Sequence, residues 1–221
     1  MGLHVRPYIP DRFNESYGLN APALEQLAAG GVRLVVTVDC GIRSVNEAET
    51  AARLGLDLII SDHHSVPDVL PRALATIDPK QPGCSYPFKE LSGVGVAYQL
   101  LSALSQALGQ GALPREVLEL VALGTVSDIV PLVDENRTLV TLGLDALRNT
   151  LRPGLLALMQ AAQVQPDTVD SQAIGFRLGP RINAAGRLAN AAIALQLLTT
   201  NQPEEAAALA QQLSNINQER Q

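Results

Sequence analysis

The chain has 221 residues, 47% of them apolar and 17% charged, with 16 Lys and Arg against 22 Asp and Glu for a formal charge of −6. This composition excludes disorder for the bulk of the chain, and its two Cys, Cys40 and Cys84, exclude a disulfide framework and, with no Cys-x-x-Cys pair, a structural zinc site. No stretch approaches the roughly 18 uninterrupted apolar residues of a membrane span, and Met1 to Pro7 hold no apolar core of signal-peptide length.

The first third has an α/β rhythm. Val5 to Ile9 reads as a short extended run closed by Pro10. Pro22 to Ala29 reads as a helix with Pro in its first turn and Gly30-Gly31 as its stop. Leu34 to Val38 is a continuous apolar run rich in β-branched residues, of the kind found in strands buried on both faces. Ser44 then caps a helix over Val45 to Leu54, with Glu47 and Glu49 in its first turns and Gly55 beyond its end. Leu58 to Ile60 is the next buried strand, so the segment forms a parallel, right-handed βαβ unit. Leu74 to Ile77 adds another strand. After Pro82 the apolar residues recur at helical spacing, over Val96–Leu108, Arg115–Leu123, Leu139–Leu147, Leu155–Ala162, Ala191–Leu198 and Glu204–Asn217. The predicted fold is therefore α/β, a parallel sheet with flanking helices, followed by a mainly helical second half. The last helix ends without a cap or a Pro/Gly stop.

Ligands of open parallel sheets bind at the carboxyl ends of the strands. Val38-Asp39-Cys40-Gly41 puts a carboxylate at one such end, and Ser61-Asp62-His63-His64 puts a carboxylate and two imidazoles at the next. Two of the three His in the chain thus stand together. Carboxylate and imidazole on neighbouring strand ends can share a divalent ion, and a mixed Asp/His set favours Mn²⁺ or a similar first-row ion over Ca²⁺. Asp128, in Gly124-Thr125-Val126-Ser127-Asp128-Ile129-Val130-Pro131, is a third candidate. Each residue also has a plainer reading: Asp39 and Asp128 as turn or cap formers, and the His pair as solvent-exposed. What favours the metal is the placement of both polar groups at strand ends within one βαβ unit. With only two Lys, Lys80 and Lys89, charge alone points to no nucleic-acid surface. Two unpaired Cys fit a reducing, cytoplasmic setting.

The Asp62-His63-His64 triplet, with Val38-Asp39-Cys40-Gly41 one crossover earlier, resembles the DHH phosphoesterase superfamily. Within it, the chain is most similar to the bacterial single-stranded-DNA-specific exonucleases. Tyr8-Ile9-Pro10-Asp11-Arg12-Phe13 with Tyr17-Gly18-Leu19 resembles the segment after the family's second strand. Leu91-Ser92-Gly93-Val94-Gly95-Val96-Ala97 resembles the glycine-bearing start of its next helix, and Gly124 to Leu132 its fourth metal motif. Gly179-Pro180-Arg181-Ile182-Asn183-Ala184-Ala185-Gly186-Arg187-Leu188 resembles a signature of the exonucleases that the small phosphodiesterases lack.

The resemblance implies hydrolysis of phosphodiester bonds in single-stranded DNA from the 5′ end, in DNA repair and recombination, with Mn²⁺ or Mg²⁺ in a two-ion site. It implies that Asp39 bridges two ions, that His63 and Asp128 ligate one of them, that His64 faces the scissile phosphate and that Asp62 orients His63. Arg181, Asn183 and Arg187 would contact the DNA backbone; the alternative is a structural loop in which Gly179, Pro180 and Gly186 shape a turn. The implied protein partners are a single-stranded-DNA-binding protein and a RecQ-type helicase, with no membrane, and the implied location is the cytoplasm at the nucleoid.

The implied division is a DHH α/β core over residues 1–135, a helical part over 136–200 and the start of an interdomain helix over 201–221. The family also carries an upstream Asp-x-Asp strand, between the equivalents of Val5–Ile9 and Leu34–Val38, and a C-terminal DHH-associated domain. Neither is found here, and no Asp-x-Asp occurs in the sequence. The expectation is a fragment with little or no activity by itself. The alternatives are a non-catalytic scaffold module of a replication or repair complex and a phosphodiesterase for small nucleotides.

Overall fold

A computed structural model describes residues 4–11, 15, 17–188 and 190–220, with Arg187 and Leu188 described in backbone only. The described chain divides into two compact units, Met1–Ala112 and Leu113–Gln221.

In the first unit, α1 (Ala21–Ala29) begins at Asn20, whose side-chain oxygen accepts the Ala23 N–H at 2.8 Å. Such a cap contributes about 1 kcal/mol. β1 (Leu34–Val36), α2 (Val45–Arg53) and β2 (Asp57–Ser61) form the expected crossover, and β3 (Ala75–Ile77) completes a parallel sheet in the order β1-β2-β3. The register pairs Val35 with Leu58 and Ile60 with Thr76. Leu24, Ala48, Ala51, Leu56, Leu58 and Ile60 pack into one core between the sheet and the two helices. α3 (Gly93–Ala107) closes the unit, its first turn capped by Ser92 Oγ accepting the Gly95 N–H at 3.1 Å.

Two expectations change here. Val5–Ile9 lies outside the sheet and Val5 is exposed, because an extended run gains nothing from strand geometry until a ladder partner meets it. β1 is an edge strand and not a doubly buried one. Val35 packs on the core, whereas Leu34 and Val36 on the other face are exposed.

The second unit is helical: α4 (Val117–Ser127), α5 (Asp134–Arg148), α6 (Pro153–Ala161), a short α7 (Ser171–Ala173), a π-helical turn (Ile174–Leu178), α8 (Gly179–Leu188), α9 (Ala192–Thr199) and α10 (Pro203–Arg220). Its core is built from Leu147, Leu155, Leu158, Leu178, Leu197 and Leu213, among others. The segment read as a turn around Gly179, Pro180 and Gly186 is instead continuous helix. Pro180 lacks the N–H an α-helix needs at that point and its ring crowds the preceding turn. The chain widens by one residue just before it, with the Gly179 N–H reaching Ile174 O in an i→i+5 bond. This π turn absorbs the proline without ending the helix.

Candidate metal centre at the strand ends

The ladder between β1 and β2 runs past the strand ends. The Thr37 N–H donates to Ile59 O at 2.9 Å and the Asp39 N–H to Ser61 O at 3.0 Å. Thr37 Oγ1 also accepts the Ser61 N–H at 3.2 Å and donates to Cys40 O at 2.7 Å, tying the two loops together. Asp39 is thereby carried beside Asp62-His63-His64. One ligand atom from each of Asp39, His63 and His64 lies within 4.8 Å of the others.

His63 Nε2 stands 2.9 Å from Asp39 Oδ1, yet Asp39 Oδ1 is a buried acceptor that makes no hydrogen bond of proper geometry. A lone pair held in that way beside an imidazole fits a cation, since an unsatisfied buried oxygen is otherwise costly. An oxygen and two nitrogens form a borderline donor set suited to Mn²⁺ and neighbouring first-row ions.

Asp62 is 1% exposed and holds this arrangement from below. Its Oδ2 accepts the Ile42 N–H at 2.9 Å, and its Oδ1 accepts the His63 N–H at 2.8 Å and the His64 N–H at 3.3 Å and meets His64 Nδ1 at 2.7 Å. Burial alone would raise its carboxyl, but these four bonds outweigh it and hold Asp62 below the usual carboxylate range. An Asp62 carboxylate on His64 Nδ1 turns Nε2 of that ring away from Asp62. Asp62 was expected to orient His63; it meets the ring of His64 and, of His63, only the backbone N–H. Burial, with the Asp62 and Asp39 charges beside it, pushes the Cys40 thiol up to about 11.

The other predicted residues are placed one by one. Asp128, exposed at the C-terminal end of α4, belongs to the second unit. Arg181 donates from Nε to Ser214 Oγ at 2.9 Å and from Nη1 to Arg177 O at 2.6 Å, fastening α8 to α10. Burial and then the Arg177 charge lower its pKa. Asn183 is exposed on α8. The side chain of Arg187, and Arg12 and Phe13 of the Tyr8 segment, lie outside the described residues. Sequence reasoning missed Tyr17, whose hydroxyl donates to Asp39 O at 2.7 Å, and Ile42, which contributes only a backbone N–H. No residue-type signal marks a backbone donor, whereas Tyr17 lies in a segment already singled out.

Residues 1–125 match the model of the DHH family, N-terminal domain. The single-stranded-DNA-specific exonuclease RecJ of Bacillus subtilis is 48% identical over 221 residues, covering 100% of this chain and 28% of the relative. The Escherichia coli enzyme of the same name is 43% identical over 223 residues, covering 96% of this chain and 39% of the relative. The chain therefore spans well under half the length of these curated relatives. Among solved structures, exonuclease RecJ bound to manganese superposes with a TM-score of 0.86 at 35% identity, covering 97% of this chain and 54% of that one. RecJ of Thermus thermophilus in complex with Mn²⁺ gives 0.80 at 34% identity, with coverages of 91% and 30%.

Proposed function

The chain belongs to the DHH family, and on that footing we propose that it forms the metal-binding core of an exonuclease that hydrolyses single-stranded DNA from the 5′ end in DNA repair and recombination. The observation that carries the reading is the convergence of Asp39, His63 and His64 at the ends of β1 and β2, in a chain 48% identical to an exonuclease of that specificity. Asp39 and His63 would hold a Mn²⁺ or Mg²⁺ ion, with His64 turned toward the substrate phosphate and Asp128 as a further ligand. Bound divalent ions supply an activated water and stabilise the leaving oxygen. The chain's own part is to fix the donors before the substrate arrives: the Asp62 carboxylate orients the His64 ring, and the β1–β2 ladder sets the Asp39–His63 spacing. Arg181, Asn183 and Arg187 serve as backbone contacts to DNA in this reading.

The same reading assigns residues 1–135 to the catalytic core, 136–200 to its helical part and 201–221 to the start of an interdomain helix. It locates the protein in the cytoplasm at the nucleoid, with a single-stranded-DNA-binding protein and a RecQ-type helicase as partners. No described helix is long and apolar enough to cross a membrane. Asp39, His63 and His64 make one cluster of three donors, fewer than two ions require. The 221-residue chain alone is accordingly expected to degrade DNA weakly or not at all.

The test is a chimera in which this chain replaces the matching segment of the Bacillus subtilis relative. With Mn²⁺ it should release mononucleotides from 5′-labelled single strands, leave duplex DNA intact, and lose at least 100-fold in rate as Asp39→Ala. A folded chimera that cleaves dinucleotides but not longer strands would favour the small-nucleotide phosphodiesterase, and a folded chimera inactive on both would favour the scaffold.

A further inference from the structure

We infer that Tyr17 and Gly93 are positioning residues for Asp39: the hydroxyl of the first pins the Asp39 carbonyl, and the bare Cα of the second leaves the space that the Asp39 carboxyl group fills. The inference rests on the reading of Asp39 as a metal ligand and deepens it.

Asp39 has a backbone φ of 64°, in the left-handed region that Asp enters more readily than most residues but still at a cost, so that contacts are needed to hold it there. Three contacts do so. Its N–H is spent on Ser61 O at 3.0 Å. Its carbonyl accepts the Tyr17 hydroxyl at 2.7 Å. Tyr17 itself is 58% exposed. The third contact is at the start of α3. A Cβ added to Gly93 would stand 2.5 Å from Asp39 Cγ and 2.6 Å from Asp39 Cβ, and would also collide with Oδ1.

Those atoms cannot step aside cheaply. They belong to a short side chain with two torsions, on a backbone already fixed at both its N–H and its carbonyl. A methyl group at position 93 therefore moves the carboxylate away from His63 Nε2, now 2.9 Å distant. Gly95, two residues on, is different: a Cβ there would touch Leu91 and Ser92 at 3.2 Å, within its own turn. Of the two glycines in the Leu91–Ala97 motif, Gly93 alone faces Asp39. Ser92, capping the helix through the Gly95 N–H, holds that face against the ligand.

Tyr17→Phe keeps the ring and removes only the hydroxyl; Gly93→Ala adds one methyl. Two readings are taken on the full chain: Mn²⁺ affinity by isothermal titration calorimetry and the melting midpoint without metal. Tyr17→Phe should lower Mn²⁺ affinity about 10-fold, the scale of losing an outer partner of a ligand, with the metal-free midpoint unchanged. Gly93→Ala should lower the affinity further and destabilise the metal-free chain, and that destabilisation should vanish in an Asp39→Gly background, where the colliding carboxyl group is gone. Wild-type affinity in both single variants overturns the inference. A Gly93→Ala penalty that persists undiminished in the Asp39→Gly background also overturns it, because the methyl then collides elsewhere. Equal Mn²⁺ binding by the wild-type chain and Asp39→Ala would defeat the ligand reading. A surviving Gly93–Asp39 coupling without metal would then mark the contact as structural and remove the positioning role.

Discussion

Asp62 and Asp78 each follow the last paired residues of neighbouring strands, Ser61 and Ile77, and both are almost fully buried, at 1% and 2% exposure. Their environments push them apart. Four hydrogen bonds overcome burial at Asp62 and lower its pKa. Asp78 receives one such bond, from the Lys80 N–H at 2.8 Å, and its Oδ2 is buried without a partner. There burial wins, with the Asp62 charge adding to it, and the Asp78 carboxyl is raised. The two residues should therefore give opposite pH dependences. The Asp62 folded value lies below its unfolded one, so its stabilisation is present above the ordinary carboxylate range and is lost as pH falls through the lowered value. The Asp78 folded value lies above its unfolded one, so its ionisation weakens the fold as pH rises through the raised value. Asp78→Asn should raise the melting midpoint at pH 7.5 by about 2–4 °C, corresponding to ~1 kcal/mol, with the gain fading toward pH 4. Asp62→Asn should lower the midpoint at pH 7.5, with a penalty that shrinks on acidification. Thermal melts of both variants between pH 4 and 8 check this; an Asp78→Asn gain that grows on acidification would contradict it.

The elements differ in how openly the sequence announced them. The α1–β1–α2–β2 run was legible because each piece carries its own stop signal: Gly30-Gly31 after α1, Gly41 after the β1 extension and Gly55 after α2. Helix starts were less legible. α5 begins at Asp134, five residues before the apolar spacing at Leu139, because its first turn is polar and acidic, as the helix dipole prefers. α8 was hidden because Gly179-Pro180 reads as a turn wherever the preceding helix is α-helical, and local residue types do not disclose a π turn. The exposure of Leu34 and Val36 was hidden for another reason. An apolar strand looks the same in sequence whether or not something covers its second face. The seam between α4 and α5 depends on a feature that helix propensity would misjudge. A Cβ on Gly143 of α5 would lie 2.5 Å from Ala122 Cβ and collide with Leu118 O on α4. Gly143→Ala gains roughly 1 kcal/mol in propensity, yet overpacking at a closed seam costs about 1–3 kcal/mol, more where rigid backbone is met. The variant should be destabilised by ~2 kcal/mol in urea unfolding, and a stabilised variant would show that the two helices part without penalty.

For the molecule as a whole, the α/β class and three of the candidate donors were legible. Asp39, His63 and His64 stood out as chemistry-bearing residues at predicted strand ends, and the structure gathers them. Their supports did not stand out, because a tyrosine hydroxyl, a backbone N–H and an absent side chain act through position and leave no mark of their own. The net charge of −6 includes carboxylates whose charge a bound cation would offset. The central claim is that the ends of β1 and β2 form one divalent-metal site with Asp39 at its centre. The most direct test is a calorimetric titration of Mn²⁺ into the wild-type chain, Asp39→Ala and His63→Ala, each verified as folded. A single saturable site that weakens at least 10-fold in both variants is the predicted result; equal Mn²⁺ affinity in all three proteins would contradict the account.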